Sequence, residues 1–100
     1  MKNLLLIVLM AILTSMSGSV LGQTVTGKVT DSSDGMPLPG VSILIKGTST
    51  GTATDVDGNY QLNVEGPQTV LVYSFLGFEA VEETVGNRST IDVSLSEDAS

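Results

Sequence analysis

Hydrophobic and polar positions follow two regimes along the chain. From Leu4 to Leu13, "LLLIVLMAIL" is an unbroken apolar run. After Gln23 the period becomes two. "TVTGKVT" sets Val25, Gly27 and Val29 on one side and Thr24, Thr26, Lys28 and Thr30 on the other. "VSILIKG" sets Val41, Ile43 and Ile45 against Ser42, Leu44 and Lys46, and "NYQLNVE" sets Tyr60, Leu62 and Val64 against Asn59, Gln61, Asn63 and Glu65. "TVLVYSF" is apolar on both faces and predicts a central strand, while "EAVEETV" and "TIDVSL" resume the alternation with Ile91, Val93 and Leu95 inward. Period-two alternation predicts half-buried strands. The separators "DSSDGMPLPG", "GTSTG", "DVDGN", "EGP", "LGF" and "GNRS" are dense in turn-forming residues. About seven short strands with frequent turns predict an all-β fold, a seven-stranded antiparallel β-sandwich.

The apolar start does not belong to that sandwich. Lys2 supplies a positive n-region, the run Leu4 to Leu13 an apolar h-region, and "TSMSGSVLGQ" a small, polar end. This is the layout of a helical secretory signal peptide, and the run is short of the roughly 20 residues of a membrane span. The expected organisation is a signal peptide over residues 1–22, a β-sandwich over 23–96 and the start of a linker over 97–100. A cut near Gly18 and a retained anchor are the alternatives.

Composition narrows the chemistry. The chain of 100 residues has no Cys and no His. Neither a Ser–His–Asp nor a Cys–His arrangement can be assembled from it, and a zinc site lacks its usual ligands. No cofactor is expected, and the chain is not expected to be an enzyme. Beyond the leader, Lys28, Lys46 and Arg88 face all eleven acidic residues, a net of −8. Such a surface has no patch to neutralise phosphates, so neither nucleic acid nor an anionic lipid surface is an expected partner. The adjacent Glu82 and Glu83 point to opposite faces of a strand.

One segment could hold an ion. "DVDGN" groups Asp55, Asp57 and Asn59, the oxygen ligands of a weak candidate calcium site. In an EF-hand loop, Gly stands at position 6 and Glu at position 12. Counted from Asp55, Gly58 falls at position 4 and Gly66 at position 12. A hairpin turn fits better, because Asp57-Gly58 is a preferred turn dipeptide and Asp55 can accept from nearby backbone amides. Beyond it, Tyr73 and Phe75 share a strand face and predict core packing. Leu76 and Phe78, flanking Gly77 in "YSFLGFE", are the candidate protein-contact residues.

Four motifs together resemble the carboxypeptidase-regulatory-like domain: "GKVTD" at Gly27 to Asp31, "PLPGV" at Pro37 to Val41, "GTATDVDGNY" at Gly51 to Tyr60, and "SFLGF" at Ser74 to Phe78. The resemblance covers Thr24 to about Leu95. It implies a transthyretin-like, seven-stranded β-sandwich. With the leader in front, the chain resembles the N-terminal extension of SusC/RagA-type TonB-dependent outer-membrane receptors of Bacteroidetes.

That resemblance implies an exported, non-catalytic accessory domain on the periplasmic side of the outer membrane. Its partners would be the plug and barrel of its own receptor and other periplasmic or outer-membrane proteins. Membrane association would come only through a barrel outside this chain. It also implies that the chain is a fragment of a receptor importing nutrients such as oligosaccharides or peptides. A short standalone homologue, a sandwich that assists a secreted peptidase, and a free carbohydrate- or calcium-binding module are the alternatives.

Overall fold

The structure is a computed structural model that describes residues 22–98. The expected signal peptide, its last residue Gly22 aside, lies outside the described residues. Seven strands run in chain order: β1 (Gln23–Asp31), β2 (Ser42–Ile45), β3 (Gly51–Ala53), β4 (Asn59–Val64), β5 (Val70–Ser74), β6 (Val81–Thr84) and β7 (Val93–Leu95). They form a three-stranded sheet, β4-β1-β7, and a four-stranded sheet, β3-β2-β5-β6.

The period-two pattern becomes the core directly. Val25 and Val29 of β1, Tyr60, Leu62 and Val64 of β4, and Val93 and Leu95 of β7 are buried from one sheet. Ile43 of β2 and Leu71 and Tyr73 of β5 are buried from the other, with Val41, Val85 and Ile91 beside them. Each fully buried aliphatic side chain contributes roughly 1.5–3 kcal/mol relative to exposure, so this set carries the fold in a chain without disulfides. β5 is central, between β2 and β6, as its apolar run predicts. Its second face is only half-buried, at Val70 and Val72.

Three features depart from the expectations. β1 pairs with β4 antiparallel but with β7 parallel, in the register Val29↔Val93 to Asp31↔Leu95. The sandwich is therefore mixed at one ladder. β3 lies in a stretch that the hydrophobic pattern does not mark as a strand, and it pairs with β2 through Ser42↔Ala53 to Leu44↔Gly51. The turn after it does not close a hairpin within one sheet. β3 belongs to one sheet and β4 to the other, so Thr54 to Gly58 carries the chain across the sandwich.

The registers define two poles. Asp31, Ser42, Ala53, Asn59, Ser74, Val81 and Leu95 lie toward one end, with the turns 32–40, 54–58 and 74–80 beyond them. Gln23, Ile45, Val64, Val70 and Thr84 lie toward the other. The chain therefore enters at one pole, at Gln23, and leaves β7 at the opposite one.

Candidate functional site

The segment Thr54 to Asn59 is a closed, internally bonded turn. The Gly58 amide donates to the Asp55 carbonyl at 2.9 Å, and the Asp55 amide donates to the Asn59 carbonyl at 2.9 Å. Gly58 has φ 78°, and no other residue type takes positive φ among the described residues. This is the pattern of a type I turn followed by a left-handed glycine. Asp55 Oδ1 accepts the amides of Asp57 at 2.9 Å and Asn59 at 3.0 Å. The carboxylate thus supports the turn backbone as the sequence predicts. Among the described residues no group of three or more acidic side chains is placed to hold a metal ion.

Gly58 is also locked from outside. A Cβ there would lie 2.7 Å from the Val29 carbonyl oxygen and 2.9 Å from Pro37 Cβ. The Val29 amide donates to the Gly58 carbonyl at 2.9 Å. Thr54, buried, ties the turn to the proline segment: its hydroxyl donates to the Leu38 carbonyl at 2.6 Å and accepts the Val41 amide at 2.9 Å. The Thr54 amide and carbonyl meet Val41 and Gly40 at 3.0 Å each. The motifs "PLPGV" and "TDVDGNY" are therefore two halves of one joint. Sequence reasoning missed Thr54; its only signal is a polar residue between a strand and a turn.

Tyr60 anchors that joint in the core. Its ring meets Tyr73 edge to face, with centroids 5.6 Å apart. The Tyr60 hydroxyl lies 2.6 Å from the Ile91 carbonyl and 2.6 Å from the Tyr73 hydroxyl. Tyr60 has one proton, and the carbonyl can only accept, so Tyr60 donates to Ile91 and Tyr73 donates to Tyr60. The chain Tyr73–Tyr60–Ile91 thereby links the two sheets. Burial pushes both phenols above their ordinary value, most strongly at Tyr73, whose own bond to Tyr60 adds to the shift. Gly27 makes room for this arrangement: a Cβ there would clash with the Ile91 carbonyl oxygen and approach Tyr60 Cε1 to 2.8 Å.

The contact candidates lie in the turn Phe75 to Phe78. The Phe78 amide donates to the Phe75 carbonyl at 3.0 Å, and Gly77 has φ 89°. Leu76 at the tip is exposed, while Phe75 and Phe78 are half-buried with ring centroids 5.8 Å apart. Leu76 projects from the surface, and Phe78 packs against the core. The segment after β7 returns to this loop. Glu97 bridges to Phe78, the Glu79 amide donates to the Ser96 carbonyl, and the Asp98 amide donates to the Gly77 carbonyl, the last two at 2.9 Å. The polar tail expected to begin a linker is thus hydrogen-bonded to the loop as far as Asp98.

The carboxylates of β6 separate as adjacent strand positions must. Glu82 pairs with Lys46 at 2.9 Å and Glu83 with Arg88 at 3.3 Å. Arg88 also donates to the Thr84 carbonyl. Both pairs lie at the surface and add little stability.

The CarboxypepD_reg-like domain family model matches residues 25–100. TonB-dependent receptor P3 of Formosa agariphila is 46% identical over 76 residues, which are 76% of this chain and 8% of that receptor. TonB-dependent receptor SusC of Bacteroides thetaiotaomicron is 36% identical over 91 residues, 91% of this chain and 9% of SusC. The chain therefore spans less than a tenth of the length of these relatives. Among solved structures, a chain of a type II cohesin–X–dockerin complex from Acetivibrio cellulolyticus superposes with a TM-score of 0.56 at 17% identity, covering 73% of this chain and 53% of that one. This last likeness concerns the fold alone.

Proposed function

Because the chain belongs to the CarboxypepD_reg-like domain family, with TonB-dependent receptors as its relatives, we propose that it is the N-terminal accessory domain of such a receptor, held on the periplasmic side of the outer membrane. Its role is contact rather than catalysis. It is a rigid module in series with a plug and barrel that import a nutrient, of oligosaccharide or peptide class. The observation that carries this reading is the 46% identity over 76 residues to a TonB-dependent receptor. Of the expectations set out from the sequence, the receptor is the one these relatives support.

The geometry suits that role. Gln23 and Asp98 lie at opposite poles, so the domain can sit in line within a longer chain. The joint of Thr54, Gly58 and Pro37, with the tyrosine bridge beneath it, makes a stiff body rather than a pliable one.

The test uses the full-length gene product in its own cells, with Asn87→Cys as a label on an exposed turn. A membrane-impermeant thiol reagent is expected to label Cys only after the outer membrane is permeabilised, with the protein in the outer-membrane fraction. Labelling in intact cells, or only after the inner membrane is broken, overturns the periplasmic placement.

A further inference from the structure

The pole where the chain leaves β7 carries two properties at once. Its turns expose large apolar side chains: Leu76 is 96% exposed, Val56 81% and Met36 60%. These sit at the tips of three separate turns that the fold gathers at one end. The Met36 carbonyl accepts from Asp31 at the end of β1, the Val56 turn is bonded to Val29 through Gly58, and the Leu76 turn is bonded to the segment after Leu95. Pro37 against Gly58, and Gly40 near the Phe75 ring, make the three turns contiguous.

The turns at this pole carry only acidic charge: Asp34, Asp55, Asp57, Glu79 and Glu97 are exposed on them. None of the bases of the described residues lies on these turns. Lys46 and Arg88 are paired with Glu82 and Glu83 toward the far pole, and Lys28, opposite Asn59, stands near this pole but on strand β1. The sequence separates these features by up to about 60 positions, and only the fold shows them as one surface.

From this we infer that the pole formed by Met36, Val56 and Leu76 with its ring of carboxylates is a docking face for a separate protein whose surface offers an apolar socket rimmed by Lys and Arg. Core contacts of such an interface are apolar, and complementary charge at the rim sets orientation and partner choice. An anionic membrane surface would be repelled, and a second copy of this pole would set carboxylate against carboxylate. The uneven charge therefore selects a basic partner over both. The inference rests on the proposed receptor reading only for the compartment in which the partner is met.

The experiment places a photo-crosslinking benzoylphenylalanine at Leu76 of the full-length protein, with the same group at Asn87 on the far pole as reference. Irradiation in living cells is expected to give an adduct from position 76 and none from 87. Mass spectrometry of the adduct should place the link on a protein surface with Lys and Arg around an apolar site. Asp57→Lys, Glu79→Lys and Glu97→Lys together should lower the yield about tenfold or more, since like charges at an interface oppose binding. These three carboxylates hold no turn, and an unchanged thermal transition confirms the fold of the triple variant.

No adduct above the reference, a link to a second copy of this chain, or a yield indifferent to charge reversal overturns the docking face. If Asn87→Cys labels as expected and the adduct is absent, only the docking face fails. If the adduct forms on a basic partner while the label reports another compartment, only the receptor placement fails.

Discussion

Tyr60 and Tyr73 show how one hydroxyl can be worth more than another. Tyr73→Phe removes a donor to Tyr60, while Tyr60 keeps its bond to Ile91, so the cost should be about 1 kcal/mol. Tyr60→Phe strands the Ile91 carbonyl and the Tyr73 hydroxyl together, and should cost about 2–3 kcal/mol. Urea titration of both variants checks the order. The two phenols are held neutral by burial, so the folded state keeps protons that the unfolded chain releases above about pH 10. Their contribution is therefore complete below that pH and is lost as pH rises through and beyond it. Alkaline unfolding followed by circular dichroism should be less steep in Tyr73→Phe than in the parent. Gly58 supplies a second residue-scale expectation. Gly58→Ala meets both an unfavourable φ and the Val29 and Pro37 contacts, whereas Gly35→Ala meets φ alone in open space. Thermal denaturation should show Gly58→Ala losing about 3 kcal/mol or more and Gly35→Ala about 1–2.

At the scale of elements, what the sequence reveals depends on burial. β4 is legible because Tyr60, Leu62 and Val64 alternate with Asn and Gln and meet the core. β3 is not, because Gly51, Thr52 and Ala53 pair with β2 without burying a large side chain, so they carry no hydrophobic period. The parallel pairing of β1 with β7 is silent for a related reason: alternation reports which face is buried and says nothing of strand direction. The turn at Asp55 was readable from its dipeptide, but its passage between sheets depends on Thr54, whose partners lie 13 and 16 positions away. Thr54→Val keeps the shape and removes the hydroxyl from Leu38 and Val41, and should cost about 2–3 kcal/mol. Thr54→Ser keeps both bonds and loses one methyl, about 0.8 kcal/mol. Chemical denaturation that ranked Ser below Val would contradict this account of the joint.

The whole molecule is acidic, with one pole crowded by carboxylates and only two surface ion pairs among the described residues. Self-repulsion should therefore outweigh pairing. Raising NaCl from about 10 to 150 mM shortens the screening length from about 30 to 8 Å, and the melting temperature should rise with it. A fall would mean that the pairs of Lys46 and Arg88 matter more than their exposure implies. Of the candidate contact residues in "SFLGF", Leu76 projects into solvent, while Phe78 is half-buried beside Phe75. Met36 and Val56 gave no local signal, since each is a single apolar residue in a polar turn.

The parallel ladder between β1 and β7 also has a mechanical meaning. Tension applied between Gln23 and Leu95 pulls the two strands along their length in opposite directions. The bonds between Val29 to Asp31 and Val93 to Leu95, with those joining Thr26 to Ser89 and Ile91, then lie across the load and share it. They must break together. Tension between Gln23 and Val64 would instead part β1 from β4 at one end and open that ladder one rung at a time. Single-molecule pulling should record a distinctly higher unfolding force for the first geometry than for the second. A domain wired in this way should resist a tug along the chain better than one whose terminal strands unzip.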